Sequence, residues 1–186
     1  MTAMPATKFA LGIDFGTESG RVMLVRADNG EEVAWSLVPY PHGVIDRALP
    51  DGTPLKADSA LQDPRDYLVV LDQGVPEALR KSGVSPADVI GIGIDFTACT
   101  MLPALAGGAP LCTVPPYAAN PHSWVKLWKH HAAQPQANRI NELGARRGEE
   151  FLTVYGGKYS SEWFFSKLLE TLEEAPEIDA AAQRFL

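Results

Sequence analysis

The sequence predicts an α/β domain in which a three-stranded antiparallel meander is followed by a helix and by a strand returned parallel to the first. Three observations predict it. Phe9, Leu11 and Ile13, and then Val22 and Leu24, alternate with a period of two on either side of a polar, glycine-containing turn, which reads as strand, turn, strand and not as helix. Asp28-Asn29-Gly30 supplies a second turn able to take positive φ, after which Val33, Trp35 and Leu37 alternate into a third strand. Asp63-Pro64 is a helix cap followed by proline at the first helical position, and Leu68, Leu71, Val75 and Leu79 recur at three and four until Gly83. The next apolar run, residues 89–96, is a strand; strand, helix, strand is the order of a right-handed parallel crossover.

The remaining elements follow in order. Residues 39–62 are rich in Pro, Gly and Asp, with Asp51-Gly52 as a tight turn, and read as an excursion over the surface. Pro76 removes a backbone donor inside the helix and is expected to kink it around residues 72–75. The strand at 89–96 alternates isoleucine with glycine and is expected to be buried, delivering Asp95-Phe96-Thr97 at its tip. Residues 101–105 pair back across a turn at Gly107-Gly108. Asn120-Pro121 repeats the cap-plus-proline start, and Trp124, Leu127, Trp128 and His131 are expected on one face of a helix that Pro135 interrupts. Pro135 starts a second helix carrying Ile140 and Leu143, Ser160 or Ser161 caps a further one through Trp163, Phe164, Lys167 and Leu168, and residues 180–186 form an apolar-faced helix. A meander followed by a β-α crossover is the ribonuclease-H-like plan.

With 186 residues, 46% of them apolar, the chain can bury a sizeable core. A formal charge of −7 with scattered basic residues argues against a nucleic-acid partner, which calls for a clustered basic face. Cys99 and Cys112 have no further Cys and no metal-type Cys/His spacing beside them; two free thiols and a reducing, cytoplasmic setting are expected. Residues 1–8 lack a basic region followed by an apolar stretch, and no run reaches the length of a membrane span, so no membrane association is expected.

The chemistry concentrates in two places. The run Leu11-Gly12-Ile13-Asp14-Phe15-Gly16-Thr17-Glu18-Ser19-Gly20-Arg21 puts an acid, two turn glycines, two hydroxyls and an arginine between two strands, the make-up of a phosphate-binding hairpin. Gly16 and Gly20 are expected to relieve Cβ clashes so that backbone N–H groups and the Thr17 and Ser19 hydroxyls converge on an anionic oxygen, while Asp14 holds Mg²⁺ or its water shell. The spacing is not that of a Walker loop. The second place is Asp95-Phe96-Thr97-Ala98-Cys99-Thr100, where small and hydroxyl side chains at a strand tip can approach a polyol closely. His130 and His131 are adjacent on the expected helix, about 100° apart, which does not suit a shared metal. Trp124 and Trp128 fit either core packing or stacking on a sugar.

The hairpin resembles the first phosphate motif shared by sugar kinases, actin and Hsp70-type chaperones. Together with Tyr40-Pro41-His42-Gly43-Val44, Leu49-Pro50-Asp51-Gly52-Thr53-Pro54-Leu55, the strand ending Asp95-Phe96-Thr97-Ala98-Cys99-Thr100, Leu127-Trp128-Lys129-His130-His131 and Gly156-Gly157-Lys158-Tyr159-Ser160-Ser161-Glu162-Trp163, the chain resembles the ribulokinase branch of the FGGY carbohydrate kinases along nearly its whole length. The resemblance implies an actin-like ATPase fold, ATP and Mg²⁺ as cofactors, and phosphorylation of L-ribulose, or a related ketopentose, in L-arabinose breakdown. By resemblance Asp14, Gly16, Thr17, Ser19 and Arg21 face the ATP phosphates, with Asp14 on Mg²⁺ through water, and Asp95, Thr97, Ala98, Cys99 and Trp128 face the sugar. Glycerol-type relatives carry Arg-Glu at the Ala98-Cys99 positions, and loss of that charged pair leaves room for a longer sugar; related kinases carry an acid at the position of His130, a departure typical of ribulokinases. The family's general-base aspartate and its adenosine-binding domain lie beyond the position of Leu186. Residues 1–186 are therefore expected to be the N-terminal part of the first kinase domain, with the hairpin at 9–27, the crossover helix at 63–83 and the sugar-side strand at 89–100, and to be inactive alone. A kinase for another pentulose or polyol and a non-catalytic binding module are the alternatives, and a homo-oligomer of the full-length protein is left open.

Overall fold

The computed structural model describes residues 7–186, so the reading of residues 1–6 as free of a leader lies outside the described residues. In chain order the elements are β1 (Phe9–Phe15), β2 (Ser19–Arg26), β3 (Glu32–Pro39), β4 (Leu61–Gln62), α1 (Arg65–Val69), a π-helical turn (Val70–Gly74), α2 (Val75–Ser82) and β5 (Val89–Phe96). There follow β6 (Pro103–Ala104), β7 (Val125–Lys126), α3 (Gln134–Arg147), α4 (Phe151–Val154), α5 (Phe164–Glu174), α6 (Pro176–Ala181) and β8 (Arg184–Phe185). The described residues divide into two compact units, one of residues 7–43 with 65–97 and the other of residues 44–64 with 98–186.

The first unit is built on a four-stranded sheet of order β3-β2-β1-β5. β1 and β2 pair antiparallel with Asp14 opposite Arg21, β2 and β3 likewise with Met23 opposite Trp35, and β1 pairs parallel with β5 with Asp14 beside Asp95. This is the meander-plus-crossover that alternation and helix spacing predict. Leu11, Ile13, Val22, Leu24 and Val38 form its core with Val70 and Ala78 of the helical layer. The helix approaches so closely that a Cβ on Gly20 would lie 2.4 Å from Val70 Cγ2, so Gly20 serves helix–sheet packing and not, as expected, the turn. Pro76 cannot donate to the preceding turn, and the strain is taken up by the wide turn at Val70–Gly74 rather than by a sharp break.

Two expectations about this sheet are corrected. On β3 the alternation holds but the apolar set faces outward: Trp35 is 59% exposed, whereas Ser36 is buried and donates its hydroxyl to the Gly74 carbonyl at 2.8 Å. A backbone carbonyl at the π turn needs a donor, and a serine inside supplies one. β5 is not buried: it is the edge strand, and Ile90, Ile92, Ile94 and Phe96 are each more than 60% exposed.

The second unit relies on short pairings. β4 pairs with β7, β6 with β8, and Met101 bridges to Lys126. The helix expected from Pro121 is absent. Asn120 does cap, its Oδ1 accepting from the His122 N–H at 2.9 Å, but the helical turn stops at Ser123 and the chain becomes β7. Pairing of Val125–Lys126 with Leu61–Gln62 overrides the local start signal. Trp124 is therefore a core residue among Ile45, Leu49, Leu61 and Cys112, with its indole N–H donated to the Ala118 carbonyl, while Trp128 stays 41% exposed. α3 begins beside Pro135 as expected, and the turn at Gly107-Gly108 closes through Gly108 N–H to Leu105 O. Residues 101–105 pair back only at Ala104 with Pro110; β6 takes β8 as its strand partner. Trp163, not a serine, occupies the cap of α5, and residues 180–186 are the end of α6 followed by a strand, not a helix.

Candidate functional site

β1 ends at Asp14-Phe15 and β2 begins at Ser19, and the Gly16 N–H donates to the Ser19 carbonyl at 3.0 Å to close the turn between them. A Cβ on Gly16 would meet that carbonyl at 2.9 Å and the Arg21 guanidinium at 3.1 Å, so the turn requires glycine here through contact rather than through φ. Arg21 Nη2 lies 2.5 Å from Asp14 Oδ2, an ion pair across the register with both side chains substantially exposed. Asp95 stands beside Asp14 in the parallel register, its Oδ1 accepting from the Phe96 N–H. Thr97 continues the pairing, its N–H donated to the Phe15 carbonyl at 3.2 Å.

Of these groups Asp14, Arg21 and Asp95 line an open cleft of about 570 Å³ in the first unit, together with Gly12, Met23 and Gly93. Two carboxylates at the carboxyl ends of adjacent parallel strands form a hard-oxygen donor set that suits Mg²⁺, which is typically held by one or two carboxylates and several waters. The guanidinium beside them suits a phosphate oxygen. Among the described residues no group of three or more His, Cys, Asp or Glu side chains is placed to hold a metal.

In the second unit, Ala98 and Cys99 follow directly in the chain, and Cys99 has φ +60, one of two non-glycine residues with positive φ among those described. Neither its thiol nor that of Cys112 is in a disulfide, as expected. Trp128 lies in the same unit, two residues beyond β7.

Sequence reasoning missed the most densely connected polar cluster, also in this unit. Glu170, fully buried on α5, takes Lys126 Nζ at 2.7 Å and His130 Nε2 at 2.9 Å on Oε2, and Lys56 Nζ at 2.7 Å on Oε1. Lys126 Nζ also donates to Thr171 Oγ1 and to His122 Nδ1. A cavity of about 220 Å³ is lined by Lys56, His122, Lys126, His130 and Glu170, whose polar atoms are spent on one another. The only signal in the sequence was Lys167, Glu170 and Thr171 recurring at helical spacing on α5, a polar stripe that reads as solvated until the buried lysine facing it is known.

The hydrogen bonds set the protonation states. His130 Nδ1 accepts from the Ala60 N–H, leaving Nε2 to carry the proton it donates to Glu170; His122 Nδ1 accepts from Lys126. Both rings are neutral. Burial, with the Lys126 charge adding to it, pulls the His122 pKa down to about 4, and burial likewise lowers His130 against the pull of Glu170. Burial raises the Glu170 carboxyl, but the His130 hydrogen bond and the Lys126 charge outweigh it and hold it below the usual carboxylate range. A histidine with a lowered folded pKa binds fewer protons than the unfolded chain, so its contribution to stability is complete above pH 6.5 and is lost as pH falls toward 4. For His122 this amounts to about 2 kcal/mol by pH 5. Glu170 adds to the loss below pH 4.5, where the unfolded carboxyl protonates first. The urea midpoint of unfolding is therefore expected to fall between pH 7 and pH 5, and His122→Gln to flatten that dependence.

No family model matches the chain. It is similar to the ribulokinase of Geobacillus thermodenitrificans, 58% identical over 180 residues, which are 96% of this chain and 32% of the relative. The ribulokinase of Mycolicibacterium smegmatis is 53% identical over 189 residues, all of this chain and 33% of the relative. Among solved structures, gluconate kinase from Lactobacillus acidophilus superposes with a TM-score of 0.70 at 17% identity, and Plasmodium falciparum glycerol kinase with ADP with 0.64 at 16%. They cover 97% and 94% of this chain and 31% and 30% of their own.

The fold is thus that of the actin, Hsp70 and sugar-kinase class, with the β1–β2 turn at the carboxyl end of its first strand. Over 96% or more of its length the chain is similar to these two ribulokinases, of whose length it spans about a third.

Proposed function

We propose that this chain forms the phosphate- and sugar-facing part of a cytoplasmic, ATP-dependent kinase that converts L-ribulose to L-ribulose 5-phosphate, the step expected in L-arabinose breakdown. The observation that carries the reading is the Asp14–Arg21 pair beside Asp95 at the open cleft, in a chain 58% identical to a ribulokinase.

In this reading Asp14 would hold Mg²⁺ through water, and Gly16, Thr17 and Ser19 face the ATP phosphates. Mg²⁺ held there would supply positive charge against the charge developing on the transferred phosphoryl group. Arg21 exchanges Asp14 for a phosphate oxygen, which a guanidinium can do at small cost because the exposed pair contributes at most about 1 kcal/mol. Asp95 and Thr97, with Ala98, Cys99 and Trp128, bind and orient the ketopentose; the small side chain of Ala98 admits the backbone to close range of its hydroxyls. The group that accepts the hydroxyl proton is assigned to residues beyond the position of Leu186, and the 186-residue chain by itself is expected to be inactive.

A coupled ADP-release assay with MgATP tests this on a ribulokinase-length protein carrying the segment and on the 186-residue chain. The long protein is expected to turn over L-ribulose faster than D-xylulose or glycerol, and the short one not at all. No turnover of any ketopentose by the long protein overturns the reading; preference for another ketopentose or polyol replaces the substrate and keeps the class.

A further inference from the structure

Lys167 is fully buried on α5, and its ammonium donates to main-chain carbonyls: Cys99 O at 2.5 Å, Leu127 O at 2.7 Å and Lys126 O at 3.5 Å. A buried lysine is a costly way to fill space, since an apolar side chain of similar volume packs without desolvating a charge. Burial pulls its pKa to about 8, so the charge is retained at neutral pH in spite of that cost. The carbonyls it holds are not arbitrary. Cys99 has a left-handed backbone that an L residue adopts only under constraint, and Leu127 immediately precedes Trp128. The two segments meet a second time where Met101 and Lys126 exchange backbone hydrogen bonds at 3.0 and 2.9 Å. α5 is anchored against them in turn, Lys126 Nζ donating to the Lys167 carbonyl at 3.3 Å.

We propose that Lys167 is a positioning residue for sugar recognition: its ammonium fixes the carbonyls of Cys99 and Leu127, and with them the backbone that presents Ala98, Cys99 and Trp128 to the ketopentose. The inference rests on the function proposed above. Lys167 touches no substrate atom and acts through the two segments it joins. Removing the ammonium frees the Cys99 carbonyl and lets the residue leave its left-handed conformation, which loosens the sugar contacts while the hairpin at Asp14 is untouched.

The test compares wild type, Lys167→Met and Lys167→Gln in the ribulokinase-length protein, measuring kcat and the KM for L-ribulose and for MgATP separately. Lys167→Met removes every donor, and Lys167→Gln keeps an N–H donor without the buried charge. For Lys167→Met the KM for L-ribulose is expected to rise about tenfold or more with the KM for MgATP within about twofold, and Lys167→Gln to fall between it and wild type. An unchanged KM for L-ribulose, both KM values moving together, or activity falling only in proportion to the folded fraction overturns the proposal. So does failure of both variants to fold, which marks the lysine as structural alone. A wild type inactive on every ketopentose overturns the functional reading and this inference with it; an active wild type whose variants show no split overturns only the inference.

Discussion

Glu170→Ala is expected to destabilise the protein by about 3–5 kcal/mol, the cost of leaving a buried charge without its partner. Lys126, fully buried, has Glu170 as its ion-pair partner; without it the ammonium retains the Thr171 hydroxyl, the Lys167 carbonyl and His122 Nδ1. Such a loss is a large fraction of the roughly 5–15 kcal/mol that holds a typical domain together. Lys126→Met should cost less, because Glu170 retains Lys56 at 2.7 Å and His130 at 2.9 Å. The double variant Lys126→Met/Glu170→Leu removes both charges and should recover much of the stability lost by Glu170→Ala, a coupling that marks the pair as interacting. Urea unfolding of the four proteins measures this, with the midpoint moving and the slope unchanged. A Glu170→Ala midpoint equal to wild type would mean that water reaches Lys126.

Asp14→Asn is expected to have the opposite profile, little effect on stability and a large one on turnover. Its ion pair with Arg21 is exposed on both sides, and such pairs contribute at most about 1 kcal/mol. In the ribulokinase-length protein, however, the substitution removes the charge proposed to hold the metal's water shell, and kcat should fall on the order of 10²-fold, the range seen when one preorganised electrostatic contact is lost. The KM for L-ribulose should stay within about twofold and the Mg²⁺ concentration for half-maximal rate should rise. Steady-state kinetics at several Mg²⁺ concentrations reads both. A kcat within a factor of two of wild type would remove Asp14 from the metal site.

The difference between these two residues shows why one was legible in the sequence and the other was not. Asp14 ends an alternating strand and is followed by Gly16, Thr17 and Ser19, so its neighbours in space are its neighbours in the chain. Glu170 meets Lys126 across 44 residues and His130 across 40, and neither partner carries a local mark. The same distinction runs through the fold. β1, β2 and the crossover helix follow from periodicity because each element's own spacing places its apolar face. β7 does not, because its pairing is decided by Leu61–Gln62, far back in the chain, and it displaces a helix that Asn120-Pro121 had correctly begun.

The order of the elements in the first unit, the turn with Asp14, Gly16 and Arg21 and the parallel return to Asp95 followed from the sequence alone, through turn residues, an alternation that only a strand accommodates and the strand-helix-strand order of a parallel crossover. Only the tertiary structure decided that Trp35 and the isoleucines of β5 face outward while Ser36, Lys126, Lys167 and Glu170 lie inside. Burial is a property of what packs across from a side chain. A polar group goes inside when a carbonyl or an opposite charge from a distant segment waits there.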